Sequence, residues 1–204
     1  MTPPAPVVLA GRWVRLEPLA REHAAGLADA ASGDRSTFGL TAVPDGLDAA
    51  RAYVDGLLAE QATGTRMPFA TVLAASGRVV GATTVLDLQY WPVDERGAGT
   101  PVVAEIGSTW LTPAAQRTPV NTEAKLLMLT HAFETWRVRR VSLKTDARNA
   151  RSRAAIERLG ARLDGVLRRH SPAADGGLRD AAYYSLLSEE WPAVRAGLRE
   201  RMAP

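Results

Sequence analysis

Residues 104–122, AEIGSTWLTPAAQRTPVNT, give the clearest structural signal in this 204-residue chain. Their first half is typical of a strand and carries one carboxylate, Glu105, near its start. A polar loop follows, and Thr118-Pro119 then supplies an N-cap and a proline at the first helical position. Glu105 and Gln116, the first residue of the loop at residues 116–122, are eleven positions apart on one strand–loop–helix unit.

The rest of the chain predicts strands and helices on both sides of this unit. Apolar spacing predicts strands at residues 8–16, 68–74, 78–88, 102–111, 140–145, 163–169 and 179–187. It predicts helices at residues 21–31, 48–61, 122–136, 150–159 and 189–201, the fourth of which ends at Gly160. The sequence contains no recognisable repeat or linker. We therefore expect one α+β domain over residues 1–204, with a mixed sheet.

Composition excludes several classes of protein. Apolar residues make up 46% of the chain, which is enough for a full core and argues against wholesale disorder. Cysteine is absent, so disulfides and thiolate chemistry are excluded, and the three histidines show no metal-ligand spacing. Residues 1–9 do not resemble a signal peptide, and no apolar run approaches the roughly 18 residues of a membrane span. We expect a cytoplasmic protein with no metal and no membrane partner.

Charge is unevenly distributed along the chain. The net charge is +3, but residues 137–169 contain eleven basic and three acidic residues. Such a segment suits a polyanion, either nucleic acid or a polyphosphate cofactor. The alternative is that arginine is simply abundant, because Lys125 and Lys144 are the only lysines. Aromatic residues do not interleave with the basic ones, apart from the nearby Trp136, so nucleic-acid or ribosome binding through base stacking has little support.

The loop at residues 116–122 is a candidate phosphate-binding site. A helix N-terminus presents unpaired N–H groups and a positive dipole potential, and Arg117 adds a formal charge. The alternative is an ordinary capped helix start. The loop has no glycine, so it is not a P-loop, and it lacks the GxGxxG pattern of a dinucleotide fold.

Glu105 is a candidate general base. Because alternate strand residues share a face, we expect two opposed sets of side chains, Glu105, Gly107 and Thr109 on one face and Ile106, Ser108 and Trp110 on the other. A glutamate among apolar residues is costly to bury without a partner, and partial burial would tune it to deprotonate an amine. The alternative is a solvated or ion-paired carboxylate on the sheet.

The start of the helix at residues 150–159 is a third candidate site. Asn149 can cap this helix, and Ser152 follows three residues later. Arg148, Arg151 and Arg153 crowd the same end, where cations oppose the helix dipole. A nearby anion would explain them, and a solvated arginine-rich turn is the alternative.

Together these segments resemble the GNAT N-acetyltransferase superfamily, and within it the RimJ/RimL-like branch of ribosomal-protein-alanine acetyltransferases. The resemblance covers nearly the whole chain and is weakest before residue 65. It is carried by Glu105-Ile106-Gly107, Trp110-Leu111, Pro113, Gln116, Thr122-Glu123-Ala124, His131-Ala132-Phe133, Asn149, Ser152, Leu159-Gly160-Ala161, the run at residues 165–169 and Arg179-Asp180. The fold it implies is a mixed, mostly antiparallel central sheet with one splayed pair of parallel strands, flanked by helices.

The resemblance implies acetyl-CoA as donor and direct transfer of the acetyl group to a primary amine. The pantetheine would lie between the strands at residues 102–111 and 140–145, and the pyrophosphate would bind the loop at residues 116–122. Glu105 would be the base and Ser152 the group that protonates the thiolate, because Ile156 stands where many relatives have a tyrosine. The residues implied to bind the cofactor are Trp110, Leu111, Gln116, Arg117, Thr118, Val120, Asn121, Thr122, Asn149, Arg151 and Ser152.

The chain departs from the superfamily in its loop, where Pro119 replaces a glycine and removes one N–H donor. A non-catalytic acyl-CoA-binding module is therefore an alternative to an enzyme. The acceptor implied by the branch is a protein N-terminal amine, with a ribosomal protein as partner, and the alternative is a small amine such as an aminated antibiotic. We expect the acceptor beside residues 36–46, 90–100 and 170–177, with Phe38, Tyr90 and Trp91 as candidate lining residues. The alternative for each of the three is a packing role. A second copy of the chain, in a homodimer, is a further candidate partner.

Overall fold

The computed structural model describes residues 5–91 and 100–202, which form one eight-stranded sheet with helices on both faces. The strands are β1 (Leu9–Ala10), β2 (Val14–Pro18), β3 (Met67–Leu73), β4 (Val79–Gln89), β5 (Val103–Leu111), β6 (Arg140–Asp146), β7 (Arg162–Pro172) and β8 (Leu178–Leu187). The helices are α1 (His23–Ala31), α2 (Gly46–Ala62), α3 (Pro119–Thr130), α4 (Ala150–Arg158) and α5 (Trp191–Glu200). The predicted α+β fold and order of elements are confirmed, except at the first strand.

One parallel pair interrupts an otherwise antiparallel sheet. The strand order is β1-β2-β3-β4-β5-β6-β8-β7, and β5 and β6 are the parallel neighbours. Their ladder pairs only Val103 with Arg140, Ala104 with Val141 and Glu105 with Ser142. Beyond Glu105 the two strands continue without further pairing between them, in the described part of the chain. The splayed parallel pair is therefore confirmed, and Glu105 lies where the strands diverge.

A β-bulge in β5 overturns the predicted alternation of side chains. Ser108 has a φ of 48°, in the left-handed region, and the pairing of β5 with β4 slips by one residue at this point. Two residues of β5 thus oppose one of β4, which exchanges the faces beyond the bulge. As a result Trp110 shares a face with Glu105, and Thr109 shares a face with Ile106. The sequence prediction assigned both Trp110 and Thr109 to the wrong face, because alternation assumes a regular strand.

The predicted first strand, residues 8–16, is divided into β1 and β2. The chain turns between them, where the Gly11 N–H donates to the Val14 carbonyl at 2.9 Å. The Glu123 carboxylate of α3 accepts hydrogen bonds at 2.8, 2.7 and 2.9 Å from the N–H groups of Arg12, Trp13 and Val14. A side chain 110 positions from Trp13 fixes this turn, so no local sequence pattern reveals it.

Two apolar layers hold the sheet between the helices. One face packs against α3 and α5 through residues such as Ile106, Met128 and Leu198. The other packs α1 and α2 against β3, β4 and β5 through residues such as Leu27, Val54 and Trp110. On this second face β6 and β8 add polar side chains such as Lys144 and Tyr183. The helical cover of this face therefore ends at β5, beside the point where β5 and β6 diverge.

The helix ends follow local chemistry. Thr118 caps α3 and Pro119 is its first residue, as predicted, and Gly160, with a φ of 98°, follows the end of α4. The α3 helix ends at Thr130 rather than at residue 136, because a π-helical turn, His131–Thr135, continues it. In residues 5–91 and 100–202, no helix combines the length and the apolar character needed to cross a membrane.

Candidate active site

Glu105 is buried where β5 and β6 diverge, with 3% of its surface exposed. Burial raises the pKa of its carboxyl to about 7, because the charged form loses hydration. The Lys144 ammonium opposes this rise, since its Nζ lies 3.2 Å from Glu105 Oε1. Glu105 therefore combines two features that the sequence left as alternatives. It is an ion-paired carboxylate, and its pKa suits a base working near neutral pH.

Lys144 links Glu105 to a second carboxylate. Its Nζ lies 3.5 Å from Asp87 Oδ2 and 5.6 Å from the centre of the Tyr183 ring. Asp87 has a φ of 49° at an irregularity in the β4–β5 ladder. The sequence did not predict Asp87 or Lys144 as site residues. The only sequence feature that sets Lys144 apart is that the chain has just two lysines. Neither this cluster nor any other group of His, Cys, Asp and Glu in the described ranges could hold a metal ion.

The start of α3 offers fewer N–H groups than the sequence suggests. The Val120 N–H donates to Thr118 Oγ1 at 3.3 Å, and Pro119 has no N–H. Of the four N–H groups that lack an acceptor inside a helix, this leaves those of Thr118 and Asn121. Arg117 precedes them, is exposed and has a φ of 58°. The loop can thus present two N–H groups and one guanidinium to an anion.

The other predicted loop residues lie close to these groups. Thr122 and Asn121 are half-buried in the first turn of α3, and the Asn121 Oδ1 is buried without a hydrogen-bond partner. The Val120 side chain belongs to the main core instead. The Thr118 hydroxyl also donates to the Ala115 carbonyl at 2.7 Å, which fixes the approach of the loop to the helix.

Gln116 and Arg151 are joined through Thr37, in the connection between α1 and α2. The Gln116 Nε2 donates to the Leu111 carbonyl at 2.9 Å and to Thr37 Oγ1 at 3.0 Å. Arg151 donates to the Thr37 carbonyl at 2.6 Å and to Gln116 Oε1 at 3.3 Å. These bonds cross between the loop that follows β5 and the start of α4, which follows β6. Gln116 and Arg151 therefore bridge the far ends of the two diverging strands.

The start of α4 is capped as predicted. The Asn149 Oδ1 accepts from the Ser152 N–H at 3.0 Å, and Ser152 is half-buried. The Arg148 guanidinium lies 2.7 Å from Asp146 Oδ2 and 2.9 Å from Asp175 Oδ2. The protein itself thus supplies the anion that the sequence suggested for Arg148.

The Trp110 side chain packs in the core rather than lining the gap between β5 and β6. Its ring meets that of Phe38 edge-on, with centres 6.0 Å apart, and its Nε1 donates to the Tyr53 hydroxyl at 3.4 Å. Trp110 and Leu111 are both buried. A ligand between β5 and β6 would consequently meet Trp110 through its main chain.

A cavity of about 280 Å³ lies between two of the loops predicted to flank the acceptor. It is lined by Arg35, Phe38, Gly39, Thr41, Ala42, Val43 and Ala174. Trp91 instead lines a larger cavity, of about 350 Å³, with Val103 and Arg140 at the paired end of β5 and β6. Residues 92–99 of the third predicted loop lie outside the described residues. Residues 36–46 and 170–177 are thus brought together, and Trp91 is not part of their cavity.

The family model for the acetyltransferase (GNAT) domain matches residues 14–162 of the chain. The chain belongs to this family. GNAT proteins use acetyl-CoA as acyl donor, so membership supports an acyltransferase. No curated protein matches the chain.

Solved structures agree with this assignment over nearly the full chain. A GCN5-related N-acetyltransferase from Brucella melitensis is 30% identical, with a TM-score of 0.84 over 100% of this chain and 88% of that one. A T. thermophilus protein with a provisional acetyltransferase name is 36% identical, with a TM-score of 0.81 over 98% of this chain and 99% of that one. RimJ from Mycobacterium smegmatis, solved in complex with CoA-disulfide, shares the fold at 24% identity, with a TM-score of 0.76 over 95% of this chain and 91% of that one.

Proposed function

We propose that this GNAT protein is an acetyl-CoA-dependent N-acetyltransferase of the RimJ/RimL-like branch and that its acceptor is a protein N-terminal amine. The observation that carries the proposal is Glu105, a buried carboxylate whose pKa is about 7, at the divergence of β5 and β6. A carboxylate with such a pKa is matched to removing a proton from an amine near neutral pH.

The acetyl group passes directly from acetyl-CoA to the amine, without a covalent enzyme intermediate. Glu105, alone or through a water molecule, takes a proton from the attacking amine. The amine nitrogen bonds to the acetyl carbonyl carbon, whose developing negative charge is met by a main-chain N–H near Leu111. The carbon–sulfur bond then breaks, and Ser152 donates a proton to the departing thiolate. Glu105 releases the proton it accepted to solvent and Ser152 takes one up from solvent, so both side chains return to their starting forms. The products are an N-acetyl amide and free coenzyme A.

The donor site is assigned to the gap between β5 and β6 and to the start of α3. The N–H groups of Thr118 and Asn121 and the Arg117 guanidinium would hold the pyrophosphate. Asn149 and the edge of β5 would hold the pantetheine, and Gln116, Thr122 and Arg151 would complete the walls. Pro119 costs this site one N–H donor, so we expect weaker binding than a glycine-containing loop would give.

The acceptor assignment rests on the sequence pattern shared with the RimJ/RimL-like branch, from Glu105 to Gly160 and at residues 165–169. In that branch the acceptors are ribosomal proteins, so a ribosomal-protein N-terminus is the proposed partner. A small primary amine is the second candidate, because the cavity between residues 36–46 and 170–177, at about 280 Å³, lies just below the usual lower bound of small-molecule sites, about 300 Å³, and could hold only a small acceptor.

The experiment joins calorimetry with acetyl-CoA to a thiol-release assay over a panel of amines. The panel contains peptides with a free N-terminal alanine, the same peptides with a blocked N-terminus, and aminoglycosides. We expect micromolar acetyl-CoA binding and thiol release only with free N-termini. Release with aminoglycosides alone selects the second candidate. Tight binding without release for any amine supports a non-catalytic acyl-CoA-binding module and overturns the proposal.

A further inference from the structure

Glu105, Lys144 and Asp87 form a line of alternating charge where β4, β5 and β6 meet. The Lys144 Nζ stands between the two carboxylates, 3.2 Å from Glu105 Oε1 and 3.5 Å from Asp87 Oδ2. Side-chain exposure rises along the line, from 4% for Glu105 through 19% for Lys144 to 56% for Asp87. The Glu105–Lys144 contact is therefore the shielded one, where a charge interaction is strongest.

Charged groups reach this contact from four strands or their ends. Lys144 on β6, Asp87 on β4 and Arg66, just before β3, act on Glu105, and Tyr183 on β8 faces Lys144. Lys144 and Arg66 favour the charged form of Glu105, whereas Asp87 and burial oppose it. Lys144 is in direct contact with Glu105, whereas Arg66 pairs with Glu60 at 2.6 Å.

Lys144 is suited to act as a permanent cation. Partial burial alone would lower the pKa of its ammonium, but the nearby carboxylates of Glu105 and Asp87 help to raise the pKa above its ordinary value. Lys144 therefore keeps its charge through the whole range in which Glu105 titrates.

We propose that Lys144 is a positioning residue that holds the Glu105 carboxylate in its charged, proton-accepting form. The inference deepens the proposed function and rests on it, because it concerns the same base. Without the ammonium, burial and the nearby Asp87 would leave Glu105 protonated at neutral pH, and a protonated carboxyl cannot accept the proton of an amine. Lys144 thus acts on the reaction through Glu105 rather than on the substrate.

The first test compares the pH dependence of kcat/KM for the amine in the wild type, Lys144→Met and Lys144→Arg. We expect the acidic limb of Lys144→Met to lie about one pH unit or more above that of the wild type, since an opposite charge at this distance lowers a carboxyl pKa by about 1–3 units. Lys144→Arg keeps the cation and should restore the wild-type limb. A uniform loss of activity in Lys144→Met with an unmoved limb would mean a merely structural role and overturn the inference.

The second test needs no turnover. In protein labelled with ¹³C-glutamate, the carboxyl resonance that disappears in Glu105→Gln is assigned to Glu105 and titrated in the wild type, Lys144→Met and Lys144→Gln. We expect a higher midpoint in both lysine variants, and an unchanged midpoint in a folded variant overturns the inference. A shifted midpoint in a protein that transfers no acetyl group would instead count against the proposed function and leave the pairing intact.

Discussion

Two titratable side chains beside β5 are buried, and they differ in what they touch. Glu105 faces the Lys144 ammonium, whereas Lys125 of α3 donates to two neutral hydroxyls, Thr109 Oγ1 at 2.6 Å and Thr83 Oγ1 at 3.1 Å. Lys125 is 5% exposed, and burial lowers the pKa of its ammonium to about 7. A buried cation whose partners are hydroxyls opposes folding, because those dipoles replace hydration only in part.

Lys125 should make the stability of the protein depend on pH. The ammonium has a pKa of about 7 in the folded state and about 10.5 in the unfolded chain, so the unfolded chain binds more protons between these values. Stability therefore rises as pH increases from 7 towards 10.5, and the full penalty, at most about 5 kcal/mol, is present below pH 7. In denaturant unfolding, Lys125→Met should be more stable than the wild type at pH 7, and this difference in the free energy of unfolding should largely disappear by pH 10. A difference that stays constant with pH would contradict this.

For individual residues, the sequence indicated which side chain could act in a reaction but not which groups surround it. Glu105 stood out because it was a lone carboxylate on an apolar strand. Its partners did not, because Asp87 and Lys144 come from strands separated from β5 in sequence and meet it only through sheet pairing. The bulge at Ser108 was equally hidden, since the left-handed φ of a serine carries no sequence signature.

The start of α3 serves the proposed donor site and the core at once. Its Thr118 cap and Pro119 were predictable from local preference, as were the end of α4 before Gly160 and the order of elements. The π-helical continuation and the division of the first strand were not, because packing and the Glu123 carboxylate set them. Elements governed by local rules were thus predictable, whereas those governed by distant contacts were not.

Pro119→Ala restores an N–H at the first position of α3 and should tighten acetyl-CoA binding. One regained charge-assisted hydrogen bond is worth about 1.5 kcal/mol or more, or roughly a tenfold lower Kd. The measurement is calorimetry, with Pro113→Ala as control, because that proline begins the short helical turn just before the loop. Equal Kd values for Pro119→Ala and the wild type would mean that the pyrophosphate does not meet this N–H.

Glu123→Ala should destabilise the attachment of the β1–β2 turn to α3. It leaves three N–H groups without their acceptor, those of Arg12, Trp13 and Val14, so we expect a loss of about 3 kcal/mol or more in the free energy of unfolding. Denaturant unfolding measures it against Glu200→Ala, which removes an exposed glutamate and should cost little. Equal stabilities of the two variants would refute the anchoring role of Glu123.

Across the whole molecule, the basic segment at residues 137–169 is partly neutralised by the protein itself. Arg140 pairs with Asp164 at 2.8 Å and Arg162 with Glu190 at 3.1 Å, in addition to the pairs of Arg148. Charge clustering along the sequence therefore overstates the field available to a polyanion. The asymmetry of the sheet is more informative, because the helical cover of one face ends at β5, where β5 and β6 diverge and Glu105 lies.

Glu105 as the base is tested most directly by the rate of thiol release from acetyl-CoA at saturating concentrations of a free N-terminal peptide, for the wild type and Glu105→Gln between pH 5.5 and 9. We expect kcat of the wild type to show an acidic limb near pH 7, since the carboxylate must be charged to accept a proton. We expect kcat to be at least about a hundredfold lower in Glu105→Gln, with acetyl-CoA affinity changed little. Wild-type turnover in Glu105→Gln with the same pH dependence would contradict the assignment of Glu105 as the base.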